Sequence, residues 1–364
     1  MDPQPASANP PPAYPTPPAT LGWYPPPPPP RRHTGLKLLV VLLVLFLGGS
    51  ILLNLILAGA VAVSSLETDN KVQEKFHSHN ANGIDKVAII TVEGAILDGE
   101  GFVKRQIDRA QEDPHVKAVV VRVVSPGGTV SGSDYIYHHL RLLAEKRKIP
   151  IVVSMGGIAA SGGYYLSMAV GDTPESIFAE PTTWTGSIGV IIPHYNFVDL
   201  MQHVGIADDS IASHRLKTMG SFSKPMTEEE RKIFQGLIDD SFGRFKEIIR
   251  SGRPKLRKNP AALEKLATGQ VFSADQALHD GLVDKIGFID DAIDRAIELA
   301  SLSAADVRVV KYKPEISLTT LLTGADSRAA AVDPAALLQR MAPQGYYLYS
   351  VLPALFSSGH GNGN

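Results

Sequence analysis

The chain has 364 residues, enough for one large domain or two modest ones. Its hydrophobic content of 44% can supply a sizeable core, and its net charge of -2 gives no overall basic field of the kind that binds nucleic acid. Cysteine is absent, which excludes disulfides, thiolate nucleophiles and cysteine metal sites.

The N-terminal region has the composition of a tail followed by a membrane anchor. Residues 1–30 hold 14 of the 27 prolines, which predicts a solvated Pro-rich tail over 1–35. The 26 residues of 38–63 carry no charge, and a membrane-spanning helix needs about 20 residues. Arg31, Arg32 and Lys37 precede this run, so the positive-inside rule keeps the N-terminus in the cytoplasm. We therefore expect a single-pass anchor over 36–65, a linker over 66–83 and an exported domain; a cleaved signal peptide is the competing interpretation.

A globular domain is predicted over 84–323, with a tail over 324–364. Strands alternate with helices in its first half, as expected of a parallel α/β layered fold. The predicted elements are, in order, strand 86–92, helix 101–112, strand 116–124, helix 131–147 and strand 149–153. Further on, helices are predicted over 227–251, where Thr227 and Glu230 form a capping box, over 273–279 and over 289–299, with a late strand at 307–312.

The third strand runs into Ala159-Ala160-Ser161-Gly162-Gly163, and a helical run follows. Small neighbours would let a substrate carbonyl approach the Ser161 hydroxyl, and N–H groups at a helix start can stabilise an oxyanion. A tight turn that uses small residues only for packing is the alternative. The second strand ends in Ser125-Pro126-Gly127-Gly128, whose backbone could supply another oxyanion donor at the same sheet edge.

A serine nucleophile needs a base. His194, His203 and His214 have no obvious carboxylate to orient them. A lysine base has to lose its proton near neutral pH, so its pKa must fall from about 10.4 to about 7–8, a shift that burial can supply. Lys217 has apolar neighbours on both sides and is the preferred candidate. Lys224 lies in a loop rich in serine and proline, which favours a solvated side chain.

Several motifs together resemble the signal peptide peptidase A family of bacterial membrane-bound serine proteases. They are Ser125-Pro126-Gly127-Gly128, Ala160 to Tyr165, Thr185-Gly186-Ser187-Ile188-Gly189, Ala267 to Phe272 and Gln276 to Asp284, and the resemblance covers about residues 85–315. It implies that Ser161 is the nucleophile, Lys217 the general base of a Ser-Lys dyad and Ser187 the residue that orients this lysine. The backbone N–H groups of Gly128 and Gly162 match the oxyanion hole. Val124 departs from the asparagine usual in the family.

The resemblance also implies a fold and a setting. The fold is the layered α/β spiral of the Clp protease subunit and the crotonases, here preceded by one transmembrane helix and assembled as a homo-oligomeric ring whose subunits can share an active site. The implied substrates are remnant signal peptides and other unfolded apolar peptides at the bacterial cytoplasmic membrane, cleaved without a metal or nucleotide cofactor. A crotonase-like acyl-CoA enzyme, a catalytically inactive scaffold and a protease for one dedicated protein remain as alternatives.

Overall fold

A computed structural model describes residues 34–67, 72–314 and 345–348 of the chain. The chain divides into two compact units, 1–60 and 61–364. Residues 1–33 of the predicted Pro-rich tail lie outside the described residues, as does most of the predicted C-terminal tail. Helix α1 spans Thr34–Glu67, and its described side chains, those of 39–55, are exposed. Within these limits, no helix is both long enough and apolar enough to cross a bilayer. The anchor over 36–65 stays a prediction.

The second unit is a mixed α/β domain. Its strands in the described residues are β1 Val72–His79, β2 Lys86–Glu93, β3 Val116–Ser125, β4 Gly127–Thr129, β5 Ile151–Ala160, β6 Ile177–Ala179, β7 Trp184–Gly186, β8 Val271–Ser273, β9 Lys285–Ile286, β10 Arg308–Pro314 and β11 Tyr346–Leu348. Its helices are α2 Phe102–Glu112, α3 Val130–Arg147, α4 Gly162–Ser167, α5 Val198–His203, α6 Glu228–Gly252, α7 Pro254–Lys258, α8 Pro260–Leu266, α9 Ala274–His279 and α10 Ile289–Leu299. Short 3-10 turns lie at Met168–Val170 and Arg215–Thr218.

The centre of the domain is a large mixed sheet with the order β1-β10-β2-β3-β5-β6-β9. Strands from β10 to β9 are parallel, whereas β1 pairs antiparallel with β10. This confirms the predicted alternation of strands and helices. On the side away from β3, the first half of β5 pairs with β6 and its second half pairs with β7.

Both faces of the sheet are buried, as expected of parallel strands. Successive residues of β2 and β3 point to opposite faces: Val87 and Val120 pack in one apolar cluster, Ala88 and Val121 in the other. Helix α10 covers the first face with Ala292, Ile293, Ala296 and Ile297. Side chains of α2, α3, α4 and α6 cover the second face.

Local sequence signals explain the starts of several helices. The predicted capping box at the start of α6 is present, with Thr227 and Glu230 exchanging side-chain and backbone hydrogen bonds. Helix α10 has the predicted bounds, and α9 begins directly after its N-cap, Ser273. Capping satisfies the free N–H groups of the first turn, so it fixes where a helix starts.

Part of the predicted linker is a strand. Residues 72–79 form β1 at the sheet edge, where Glu74 pairs with Lys86 at 2.8 Å. Its sequence, Val-Gln-Glu-Lys-Phe-His-Ser-His, has little apolar alternation because an edge strand buries few side chains. Pairing with β10, more than two hundred residues later in the chain, decides its structure.

Candidate active site

Three parallel strands bring the predicted site serines and glycines to one edge of the sheet. β3 ends at Ser125, β5 ends immediately before Ser161, and β7 ends immediately before Ser187. Ala160 of β5 is directly opposite Gly186 of β7, so the two serines follow paired positions. Ligand sites in parallel sheets lie beyond the carboxyl ends of the strands, which is where these residues meet.

Ser161 has a backbone conformation that favours glycine. Its φ is +54° and its ψ is −112°, at the N-cap of α4. The conformation is held from both sides: the Ser161 N–H donates to Gly186 O at 2.7 Å, and the Tyr165 N–H donates to Ser161 O at 2.8 Å. The residue is 1% exposed, and its hydroxyl makes no hydrogen bond with the described residues. Strain of this kind is typical of a functional residue that its surroundings hold in place.

Ser187 is constrained in the same way. Its φ is +50°, and its N–H donates to Gln270 O at 2.7 Å. The residue is 6% exposed, and within the described part of the chain its hydroxyl also has no hydrogen-bond partner. Two nearly buried serines, neither with a side-chain hydrogen bond among the described residues, therefore follow paired positions at the ends of β5 and β7.

Glycines let the loop after β3 contact the start of α4. Gly127 has a φ of +100°, and a Cβ on it would lie 2.7 Å from Gly162 N. A Cβ on Gly162 would lie 2.3 Å from Ser133 Oγ, and one on Gly128 would lie 1.9 Å from Ile96 O. No side chain fits at these positions. The crevice between the two loops is consequently lined by backbone, the arrangement that an oxyanion hole requires.

Lys217 is not joined to these residues in the single chain. It lies on the exposed 3-10 turn Arg215–Thr218, and its Nζ has no hydrogen-bond or ion-pair partner among the described residues. No hydrogen bond connects it to Ser161 or Ser187 in this part of the structure. The geometry thus brings together the two serines and the glycines, and it leaves the predicted base in solvent.

Comparisons with known proteins agree with this geometry. A model of peptidase family S49 matches residues 144–303. A Synechocystis sp. protein described as a protease is 39% identical over 246 residues, covering 67% of this chain and 84% of that protein. The chain belongs to peptidase family S49. An Enterococcus faecium protein described as signal peptide peptidase SppA is 34% identical over 256 residues, 67% of this chain and 71% of that one. Protease 4 of Haemophilus influenzae is 35% identical over 225 residues, which cover 60% of this chain and 35% of Protease 4.

Membership of family S49 confirms the resemblance seen in the sequence. The chain is a serine peptidase, similar to the signal peptide peptidase type. This favours peptide hydrolysis over the acyl-CoA chemistry of the crotonases, although both activities require an oxyanion hole.

The other candidate bases, Lys224 and three histidines, either bond to groups outside the site or are exposed. Lys224, expected to be solvated, forms an ion pair with Glu230, which is 2% exposed. A hydrogen bond from Lys224 holds the pKa of Glu230 below its usual range. His194 Nε2 lies 3.3 Å from Ser221 O, and His214 Nδ1 accepts from the Leu216 N–H at 3.2 Å. His203 is exposed at the end of α5.

Two features of the site region are not predictable from the sequence. The first is the close approach of Gly127 to the Gly162 backbone, which depends on packing between segments that are distant in the sequence. The second is Tyr347, which lies in the region 324–364 that the sequence assigned to a tail. Tyr347 is fully buried, and its strand β11 pairs with β4 next to Gly128. An apolar aromatic run in a tail was the available signal.

Proposed function

We propose that the chain is a membrane-anchored serine endopeptidase that cleaves remnant signal peptides and other unfolded apolar peptides close to the membrane. The observation that supports this most directly is Ser161, a nearly buried serine in a glycine-like conformation beside Ser187 at the edge of an S49 sheet. In this proposal Ser161 is the nucleophile, Lys217 the general base and Ser187 its orienting residue. The N–H groups of Gly128 and Gly162 form the oxyanion hole.

The proposed reaction is acyl transfer in two steps. Ser161 Oγ attacks the carbonyl carbon of the peptide while its proton passes to Lys217 Nζ. The oxyanion that forms is stabilised by the two glycine N–H groups, and the amine leaves with the proton from the lysine. Water, deprotonated by the same lysine, then attacks the ester carbonyl; the bond to Ser161 Oγ breaks, and the lysine returns the proton to this oxygen as the carboxylic acid product leaves. The hydroxyl of Ser187 accepts a hydrogen bond from the lysine amine and orients it.

Lys217 must reach Ser161 for this reaction to occur. Because it is exposed and unpaired among the described residues, we propose that it serves Ser161 of a neighbouring subunit. The proposed assembly is a ring of identical subunits with the layered spiral fold of Clp protease and the crotonases. A heterologous contact that closes on itself generates such a ring.

Labelling by a fluorophosphonate probe, together with peptide hydrolysis, tests the dyad. Ser161→Ala should abolish labelling. Lys217→Ala and Lys217→Arg should both lose at least about 99% of hydrolysis, since arginine keeps the charge but cannot act as a base. If subunits share the site, an equal mixture of Ser161→Ala and Lys217→Ala chains should recover about a quarter of the wild-type activity after reassembly. A Lys217→Ala protein with near-normal turnover would remove the dyad.

Membrane anchoring is a separate part of the proposal. It is supported by the uncharged run at 38–63 and by the exposed apolar side chains of 39–55. We expect the N-terminus to be cytoplasmic and the peptidase domain to be exported from the bacterial cytoplasmic membrane. The full-length chain should stay in membranes washed with alkaline carbonate, and the domain should be accessible to protease from the exported side. Release of the chain by the wash would contradict anchoring.

A further inference from the structure

The loop that carries Gly128 pairs with the segment that follows β2. Ile96 lies opposite Gly128 in a parallel bridge. The Ile96 N–H donates to Gly127 O at 2.9 Å, and the Thr129 N–H donates to Ile96 O at 2.8 Å. Consecutive residues of a strand direct their backbone groups to opposite sides, so the N–H of Gly128 points to the other edge of β4.

A single peptide unit sets the direction of the Gly128 N–H. Gly127 O and the Gly128 N–H belong to the same planar trans peptide group, so they point in opposite directions. This group lies between two glycines, and Gly127 has a φ of +100°. Because neither residue has a Cβ, side-chain sterics do little to hold the group in one rotation. Its orientation therefore depends on the hydrogen bonds around it.

The hydroxyl of Ser125 supplies two of these hydrogen bonds. Ser125 is fully buried at the end of β3. Its Oγ donates to Gly94 O at 2.6 Å and accepts from the Gly127 N–H at 3.1 Å. Gly94 is itself fixed, because its N–H donates to Val124 O at 2.9 Å. The segment 94–96 therefore holds both peptide units that flank Gly127, one through Ser125 Oγ and the other directly.

We propose that Ser125 is a positioning residue of the oxyanion hole: its hydroxyl holds the peptide units around Gly127 so that the Gly128 N–H stays directed at the developing oxyanion. Because Ser125 is fully buried, it acts through the backbone and does not contact the substrate. Removal of the hydroxyl takes away the partner of the Gly127 N–H and lets the next peptide unit rotate. The inference rests on the proposed role of Gly128 as an oxyanion donor.

The loss expected on removal of this hydroxyl is confined to the transition state. Negative charge develops on the carbonyl oxygen only as the tetrahedral intermediate forms. A misdirected N–H therefore lowers kcat and leaves the binding of the uncleaved peptide almost unchanged. Removal of one oxyanion donor costs about 10²–10³ in kcat, and misdirecting a donor should cost part of this, about 10–100-fold.

Hydrolysis of acetyl-Ala-Ala-Leu-aminomethylcoumarin by the full-length Ser125→Ala chain tests this. We expect kcat to fall about 10–100-fold and KM to stay within about twofold of the wild-type value. The aldehyde acetyl-Ala-Ala-leucinal provides a second readout, because the Ser161 hydroxyl adds to its carbonyl carbon and forms a hemiacetal whose oxygen lies in the oxyanion hole. Its Ki should rise by the same factor as kcat falls. A purely structural serine would lower the melting temperature and change neither quantity at temperatures well below it.

Two variants accompany Ser125→Ala. Ser176→Ala is the matched control: Ser176 is also fully buried, and its hydroxyl donates to Thr173 O at 2.8 Å beside the amino end of β6, at the edge opposite the site. It should leave kcat and Ki within about twofold of the wild-type values. Ser125→Cys places a weaker donor and acceptor at the same position, so its kcat should lie between those of the wild type and Ser125→Ala. This variant carries the test if Ser125→Ala fails to fold.

Two results would overturn the proposal. One is a folded Ser125→Ala or Ser125→Cys chain that keeps the wild-type kcat and Ki. The other is a rise in KM that accounts for the whole loss of kcat/KM, which would place the effect in peptide binding. Failure of the proposed function would appear separately in the wild type, as hydrolysis that acetyl-Ala-Ala-leucinal does not inhibit or as absence of fluorophosphonate labelling.

Discussion

The backbone strain at Ser161 can be measured by replacing the side chain with alanine or glycine. Ser161→Ala removes the hydroxyl but keeps a Cβ in the conformation with φ +54° and ψ −112°. Ser161→Gly removes the Cβ as well and with it the steric cost of that conformation. The quantity of interest is the change in unfolding free energy between the alanine and glycine variants.

The magnitude follows from three contributions. Holding a residue with a Cβ in such a conformation costs about 1–3 kcal/mol, which glycine recovers. Glycine loses about 0.5–1 kcal/mol through the greater entropy of the unfolded chain, and a buried methyl group is worth about 0.8 kcal/mol. These contributions nearly cancel, so Ser161→Gly should be as stable as Ser161→Ala, to within about 0.5 kcal/mol.

Ser167 is the matched control. It is also fully buried, but its φ of −63° and ψ of −21° are ordinary helical values. Glycine there recovers no strain, so Ser167→Gly should be less stable than Ser167→Ala by about 1.5–2 kcal/mol. The alanine-to-glycine change should therefore differ between the two positions by about 2 kcal/mol, or about 4–8 °C in melting temperature for a domain of this size.

Urea denaturation and thermal melting of the four variants, each with intact secondary structure by circular dichroism, give this difference. If the change in unfolding free energy from alanine to glycine were the same at positions 161 and 167, the interpretation that Ser161 is strained would be refuted. Fluorophosphonate labelling should be lost in both position 161 variants whatever their stability.

Two further predictions concern charged groups away from the site. Asp113 is nearly buried, and burial by itself raises the pKa of its carboxyl group. Hydrogen bonds from Lys86 and from the His115 N–H outweigh that effect, so the pKa of Asp113 lies below the ordinary 3.8. Its contribution to stability is therefore present above pH 3.8 and is lost as the pH falls through the lower native value. Asp113→Asn should destabilise the chain in urea at pH 7 and should approach the wild type at about pH 3; a gap that stays constant between these pH values would contradict this. The buried Arg253 donates hydrogen bonds to both carboxylate oxygens of Asp284, at 2.8 and 3.1 Å. Asp284→Ala leaves this buried guanidinium without its carboxylate partner, so it should lower the unfolding free energy by about 3–5 kcal/mol. The double change Arg253→Met with Asp284→Ala should cost less than Asp284→Ala alone, and a larger loss in the double variant would argue against an unpaired charge as the cause.

The sequence by itself determined the features that depend on short-range interactions. Short apolar runs predicted β2, β3 and β5, and capping residues predicted the starts of α6 and α9, because both depend on neighbours within a few positions. The small residues around Ser161 indicated the candidate nucleophile for the same reason: a sharp strand-to-helix turn has to be encoded locally.

Only the tertiary structure decided which distant segments meet. β5 pairs with β6 along its first half and with β7 along its second half, which places Ser187 next to Ser161 along the backbone. The pairing of β1 with β10 makes a strand from a polar stretch of sequence. Tyr347 packs against Tyr165 and Phe245, which come from separate helices, so this contact forms only when the domain is folded. Such contacts depend on the shape and free hydrogen-bonding groups of surfaces that exist only after folding, and no local pattern in the chain encodes them.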